Sequence, residues 1–121
     1  MKKTLIATVI LAGFIAACKA PQKTATTTPP LKVDCTNKNY SYAADIKSII
    51  ESNCSKCHNS NNKAGYNFLT LESVKKGVQN GELLGTIKFL KGYPKMPKMA
   101  PQLSQELIDK IECWINNGMK E

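Results

Sequence analysis

The five residues from Cys54 to His58 carry the most specific chemical signal in this sequence. They read Cys-Ser-Lys-Cys-His, so two thiols stand three positions apart and an imidazole follows the second thiol directly. Residues at i and i+3 lie on the same side of a helical turn, so both thiols can reach one planar ligand. The C-x-x-C-H spacing is typical of covalent attachment of a c-type haem. We therefore expect Cys54 and Cys57 to form thioethers with one haem and His58 to bind its iron.

Two other kinds of site use a C-x-x-C pair. A thioredoxin-like redox pair belongs near a βαβ pattern, and no alternating strand runs occur in this sequence. A structural zinc ion takes four ligands, and His58 is the only histidine in the chain. Zinc would have to recruit Cys35 or Cys113, which lie far from the motif. The haem interpretation needs neither of these distant cysteines, and we prefer it.

A methionine is the natural candidate for the second axial position of the iron. There is no second histidine, and a methionine thioether suits haem iron and raises its reduction potential. Met1 would leave with an export signal, and Met119 lies in a tail that we expect to fray. Met96 and Met99 lie among three prolines that stiffen the backbone. We favour Met96, with Met99 as the alternative; a lysine, a water molecule or an open position also fits these residues.

Residues 1–17 have the pattern of an export signal. Lys2 and Lys3 are followed by an apolar run, residues 5–17, that is too short to span a bilayer as a mature helix. The run ends Ile-Ala-Ala before Cys18, which resembles a bacterial lipobox. We expect lipidation of Cys18, and the acyl chains would anchor the protein to a bacterial membrane, facing the periplasm. A plain secretory signal is the alternative, and Lys19 slightly favours the outer membrane over the inner one.

Charge gives weaker information about partners. All 17 basic residues are lysines, set against 9 acidic residues, and the formal net charge is +8. The lysines are scattered without a basic run, which argues against nucleic-acid binding. Several could surround an exposed haem edge and steer an acidic redox partner, although an ordinary solvated surface is an equally good interpretation. These lysines are Lys56, Lys88, Lys91, Lys95 and Lys98.

Apolar periodicity predicts an all-α domain that begins near Cys35, after a Thr/Pro-rich tether over residues 18–34. The first helix should begin at the cap Ser41 and run to about Asn53. A short helix over 71–76 should follow the cap Thr70 and end at Gly77. Helical spacing continues over 81–90, and a last helix should run from the cap Ser104 to Gly118. We expect some of the apolar residues just after the motif to cover one haem edge: Tyr66, Phe68, Leu69 and Leu71.

The motif, the methionine loop and the last helix together resemble the class I monohaem cytochrome c family. The resemblance covers about residues 42–118. It rests on the C-x-x-C-H motif, the pair Met96-Pro97, and the pattern L-S-x-x-x-I-x-x-I-x-x-W-I from Leu103 to Ile115. It implies a helical fold wrapped around one haem, with Met96 rather than Met99 as the ligand. It also implies that the first and last helices cross, so that Tyr42 or Ile46 meets Ile111 or Trp114.

Cys35 and Cys113 depart from the simplest members of that family. The family packing could bring them together, because one precedes the first helix and the other lies on the last. A disulfide there would stabilise a small exported domain. Two separate thiols, with Cys113 buried as a small apolar residue, are the alternative.

The expected function is one-electron transfer by a membrane-anchored carrier, and not enzymatic catalysis. Two other functions remain open. One is a haem-based gas-binding or sensor module whose methionine is labile or absent. The other is a tethered haem subunit of a larger oxidoreductase complex.

Overall fold

Helices account for all regular secondary structure in the parts of the chain that the structure describes, residues 32–61 and 65–121. The structure is a computed structural model. The all-α prediction is confirmed over these ranges. The predicted signal peptide, Cys18 and most of the tether lie outside the described residues. Within the described ranges, no helix has the length and apolar character needed to cross a membrane.

The first helix starts with a π-helical turn, Tyr42–Ile46, and continues as α1, Lys47–Asn53. Ser41 caps it as predicted, since its hydroxyl accepts a hydrogen bond from the Ala44 N–H at 3.2 Å. The Asp45 carboxylate accepts in return from the Ser41 N–H at 2.9 Å. The two bonds satisfy donors that a helix start leaves unpaired. The helix ends at Asn53, so α1 leads directly into the Cys54–His58 motif.

Two short helices follow the motif, α2 (Leu71–Gln79) and α3 (Glu82–Ile87). Thr70 caps α2 as predicted, through a reciprocal pair of hydrogen bonds with Ser73. The prediction that Gly77 ends this helix is wrong, because α2 continues through Gly77 to Gln79. Gly77 lies instead where the Phe68 ring touches the helix backbone. Helix α3 is also shorter than the predicted span 81–90.

The last helix, α4 (Gln105–Asn116), contacts the first one. Ser104 caps it, accepting from the Leu107 N–H at 3.4 Å. The Tyr42 and Trp114 ring centroids lie 5.9 Å apart, so the predicted contact between these helices is confirmed. The Lys120 carbonyl accepts from the Trp114 indole N–H at 2.8 Å and from the Tyr42 N–H at 2.9 Å. The C-terminal tail is therefore bound to both helices and not frayed.

The core is built around these two helices, and α2 and α3 also contribute side chains to it. Its most completely buried side chains are apolar and come from the first helix, α2 and α4: Ile46, Ile50, Val74, Ile108, Ile111, Cys113 and Trp114. The sulfur atoms of Cys35 and Cys113 lie 2.03 Å apart, at disulfide distance. The structure thus brings together the two cysteines that the resemblance paired. The link joins the segment before the first helix to α4 across a sequence separation of 78.

Candidate functional site

A cleft of about 580 Å³ lies beside the motif. Its volume falls in the range of roughly 300–1,000 Å³ that is typical of cofactor sites. Residues from the motif and the segment after it, from α3, and from the loop before α4 contribute to its walls. The lining residues are Asn53, Cys54, Cys57, His58, Gly65, Tyr66, Phe68, Glu82, Leu83, Thr86, Ile87, Pro94, Met96, Pro97, Lys98 and Leu103.

Backbone hydrogen bonds hold the motif as a series of turns after α1. The Cys54 N–H donates to the Ile50 carbonyl at 2.8 Å, which extends the bonding pattern of the helix. The Cys54 carbonyl then accepts from the Cys57 N–H at 3.1 Å and from the His58 N–H at 2.9 Å. Both thiols and the imidazole are thus carried on one turn, as the spacing predicts.

The imidazole of His58 is oriented by the segment that follows the motif. Its Nδ1 lies 3.0 Å from the Tyr66 carbonyl oxygen. A carbonyl oxygen only accepts, so this hydrogen bond requires a proton on Nδ1, and in the neutral imidazole the free lone pair is then on Nε2. Histidines that bind metals in proteins usually have this arrangement, in which the second nitrogen donates to a backbone or carboxylate oxygen. The Phe68 N–H also donates to the His58 carbonyl at 2.8 Å.

The two motif thiols differ in environment. Cys57 is exposed, whereas Cys54 is partly buried and its burial raises the pKa of the thiol to about 11. The attacking thiol of a redox pair needs a lowered pKa, so Cys54 does not have the environment of such a thiol. The zinc alternative loses its distant ligands, because Cys35 and Cys113 are bonded to each other.

We call residues 92–103 the methionine loop, because this segment presents Met96 to the cleft. Two hydrogen bonds attach it to α3. The Met96 N–H donates to the Thr86 carbonyl at 3.2 Å, and the Gln102 side-chain amide donates to the Ile87 carbonyl at 2.8 Å.

The ring of Tyr93 also rests against the backbone of α3. A Cβ atom at Gly85 would lie 2.5 Å from this ring, closer than any real contact allows. Glycine at position 85 therefore permits the loop to approach α3 closely.

The two candidate methionine ligands lie in different places. Met96 lines the cleft together with Cys54, Cys57 and His58. Met99 does not line it, and 98% of its surface is exposed. Met119 packs against the hydrophobic core. Among the methionines in the described ranges, Met96 is thus the one that the fold brings to the motif.

The lysines proposed for docking fall into several classes. Lys98 lines the cleft, and Lys56 and Lys91 are exposed. Lys95 lies over the Phe89 ring, 5.3 Å from its centroid. Lys88 forms an ion pair with Glu112 at 2.8 Å, and only about a fifth of either side chain is exposed. Lys88 is therefore engaged within the domain, and this weakens its predicted role in docking.

Tyr66 and Phe68 line the cleft, as some of the residues after the motif were expected to do. Leu69 does not, and half of its surface is exposed. Sequence reasoning missed Thr86 and Gln102. Thr86 acts through its carbonyl, which any residue could supply, and the Gln102 contact depends on the fold, so neither position has a recognisable signal.

The donor set of the cleft fits an iron porphyrin. Two free thiols three positions apart, an imidazole with a free Nε2 lone pair and a thioether all line one largely apolar cleft. Thioethers, imidazole and methionine sulfur are the groups that hold haem in c-type sites. No protein-family model, curated protein or solved structure was found to match this chain.

Proposed function

We propose that this protein is a one-electron carrier with a class I cytochrome c fold around a single covalently attached haem. The observation that supports this most strongly is the convergence of Cys54, Cys57, His58 and Met96 on one cleft. These residues come from two segments that are distant in sequence. A chance C-x-x-C-H motif would give no reason for a methionine from a separate loop to line the same cavity.

Each residue would have a distinct role. Cys54 and Cys57 would hold the haem through thioether bonds, and His58 and Met96 would be the axial ligands. The bound haem supplies an iron that changes between the ferrous and ferric states, which is the redox chemistry of the protein. Buried apolar side chains of the cleft, Phe68, Leu83, Ile87 and Leu103, would exclude water from it.

The hydrogen bond of His58 supports this role over acid–base catalysis. The proton on Nδ1 is held by the Tyr66 carbonyl, and Nε2 would be committed to the iron. No other histidine is present in the chain. We therefore propose a carrier and not an enzyme, with the rate of electron transfer set by access to the haem edge and by the partner.

Export and anchoring complete the proposal. Lipidation of Cys18 would attach the domain to a bacterial membrane through a Thr/Pro-rich tether, facing the periplasm. The exposed Lys56 and Lys91, with Lys98 at the cleft, would favour an acidic redox partner, and they would act mainly on the association rate. Such an association should slow as ionic strength rises.

Optical spectra of the purified holoprotein test the proposal. The ferric form should show the weak red absorption band that marks methionine sulfur on ferric haem iron. The ferrous form should resist carbon monoxide, because Met96 occupies the sixth position. Absence of the red band together with rapid binding of carbon monoxide would contradict the carrier and would favour the gas-binding module instead.

A further inference from the structure

Phe68 contacts both the proposed iron ligand, His58, and helix α2. We infer that Phe68 is a positioning residue that sets the plane of the His58 imidazole. Position 77 requires glycine, because the Phe68 ring occupies the space that a Cβ atom would need. This inference rests on the proposed function, since it assigns the imidazole to haem iron. It goes beyond that function by naming the residues that would tune the ligand.

The contact between the two rings is direct. The centroids of the His58 and Phe68 rings lie 4.9 Å apart, and the ring planes differ by 27°. The hydrogen bond from Nδ1 to the Tyr66 carbonyl restricts the direction of one ring atom, but such bonds tolerate a broad range of angles. A ring packed on the face of the imidazole restricts the remaining tilt. Phe68 is only 6% exposed, so its own position is also confined.

Helix α2 contacts the edge of the Phe68 ring. A Cβ atom at Gly77 would lie 2.8 Å from Cε1 and 3.1 Å from Cζ of Phe68, so the ring rests on the helix backbone. A close approach of this kind is possible only at glycine. Any larger residue at position 77 would have to displace the Phe68 ring, and the displacement would be passed to His58.

Tyr66 extends the same arrangement. Its ring stacks on Phe68 with centroids 5.8 Å apart and planes within 11° of parallel. Its hydroxyl accepts a hydrogen bond from the Asn80 side chain at 2.7 Å. Tyr66 is therefore attached to the end of α2, while its carbonyl oxygen accepts a hydrogen bond from Nδ1 of His58. Helix α2 thus contacts both residues that hold the imidazole: Phe68, which stacks on it, and Tyr66, whose carbonyl oxygen accepts its hydrogen bond.

The orientation of an axial imidazole affects the electronic structure of haem iron. Residues that contact the imidazole fix its plane and its basicity, and they therefore influence the iron. Phe68→Leu keeps an apolar side chain but removes the flat contact. Gly77→Ala keeps the ring but forces it to move. If the stack positions His58, both changes should alter the ligand plane in the holoprotein.

Nuclear magnetic resonance of the holoprotein tests the inference. In the ferrous state, the wild type should show nuclear Overhauser contacts between the imidazole and the Phe68 ring. In the ferric state, the order of the hyperfine-shifted haem methyl signals should change in Phe68→Leu and in Gly77→Ala. Two controls should keep the wild-type order. They are Leu69→Ala, at the exposed neighbour, and Val74→Ala, which removes buried volume from α2 outside the cleft.

The outcomes separate this inference from the proposed function. If both Phe68→Leu and Gly77→Ala kept the wild-type order of the haem methyl signals, the inference that Phe68 positions His58 would be overturned. An equal change of that order in Val74→Ala would also overturn the inference, because it would show a general loss of packing. Absence of the ring contacts in the wild type would also overturn it. A wild-type protein without haem would contradict the proposed function, while the ring contacts, measured in that same sample, would still decide whether Phe68 holds His58.

Discussion

The two segments that present the proposed iron ligands are held to very different degrees. In the motif segment, the backbone groups of Cys54, Cys57 and His58 are bonded into successive turns, and the imidazole is both hydrogen-bonded and stacked. The methionine loop is attached to α3 by one backbone bond at Met96, one side-chain bond at Gln102 and the packing of the Tyr93 ring against Gly85. The stronger of the two proposed ligands thus sits on the segment with more hydrogen bonds, and the weaker one on the segment with fewer. We infer that ligand exchange at the iron would begin at Met96.

Removing each proposed ligand in turn is the most direct test of this difference between the two segments. We expect His58→Ala to change the spectra most: the thioethers would still hold the haem, but the iron would keep only the weaker of its two proposed ligands, Met96. Met96→Ala should retain covalent haem but lose the red absorption band, bind carbon monoxide rapidly in the ferrous state and have a lower reduction potential. Optical spectroscopy and redox titration measure all of these effects.

Met99→Ala is the matched control for that experiment. Met99 stands three positions from Met96 in the same loop but is almost fully exposed. Its removal should leave the red band and the potential unchanged. A lost band in Met99→Ala, with the band kept in Met96→Ala, would reverse the ligand assignment.

The disulfide should affect stability without affecting either segment at the cleft. Neither Cys35 nor Cys113 lines the cleft, but their link closes a long loop in the unfolded chain. The double variant Cys35→Ala, Cys113→Ala should lower the free energy of unfolding by about 2–4 kcal/mol, with an unchanged ferric spectrum. Urea titration measures the loss. Unchanged stability, or ready alkylation of both positions in the unreduced wild type, would contradict the disulfide.

Thiol reactivity in haem-free protein tests whether the motif segment is rigid without its ligand. Burial raises the pKa of Cys54 to about 11, so at pH 8 this group carries less thiolate than an ordinary cysteine. Alkylation of the exposed Cys57 should therefore be at least about tenfold faster at pH 8, and the gap should narrow as pH approaches 11.

Peptide mass spectrometry over a time course of alkylation separates the two positions. Protein unfolded in urea is the control, and there the two rates should be similar. Similar rates in the folded buffer as well would show that the motif segment is not held in the absence of haem.

The smallest expected effect concerns the attachment of the methionine loop. Gln102→Ala removes the bond to the Ile87 carbonyl, a contribution of about 1 kcal/mol. If this bond holds the loop, carbon monoxide should bind the ferrous protein about fivefold faster. Gln105→Ala is the control, because that amide contacts Asp109 on the surface of α4. Equal rates in both variants would show that Gln102 does not restrain Met96.

The features that local spacing determines could be predicted from the sequence. Ser41, Thr70 and Ser104 cap their helices as expected, because a cap depends on residues three positions apart. The approach of Tyr42 to Trp114 followed from the family resemblance. The motif turn also follows from its own i and i+3 geometry.

The features that depend on distant contacts could not be predicted. Gly77 has the same sequence signature as a residue that ends a helix, and only the position of the Phe68 ring shows why it lies inside α2. Lys88 looked like a free surface charge until the fold placed Glu112 beside it. The attachment of Met96 relies on the Thr86 carbonyl, a backbone group that no residue type reveals.

The most direct test of the central claim is a pyridine haemochrome spectrum of protein matured in its native host and then extracted with acid–acetone. Thioether bonds at Cys54 and Cys57 should keep the haem with the precipitated polypeptide, and the spectrum should be that of a c-type haem at one per chain. Colourless protein, or pigment that passes entirely into the solvent, would contradict the account.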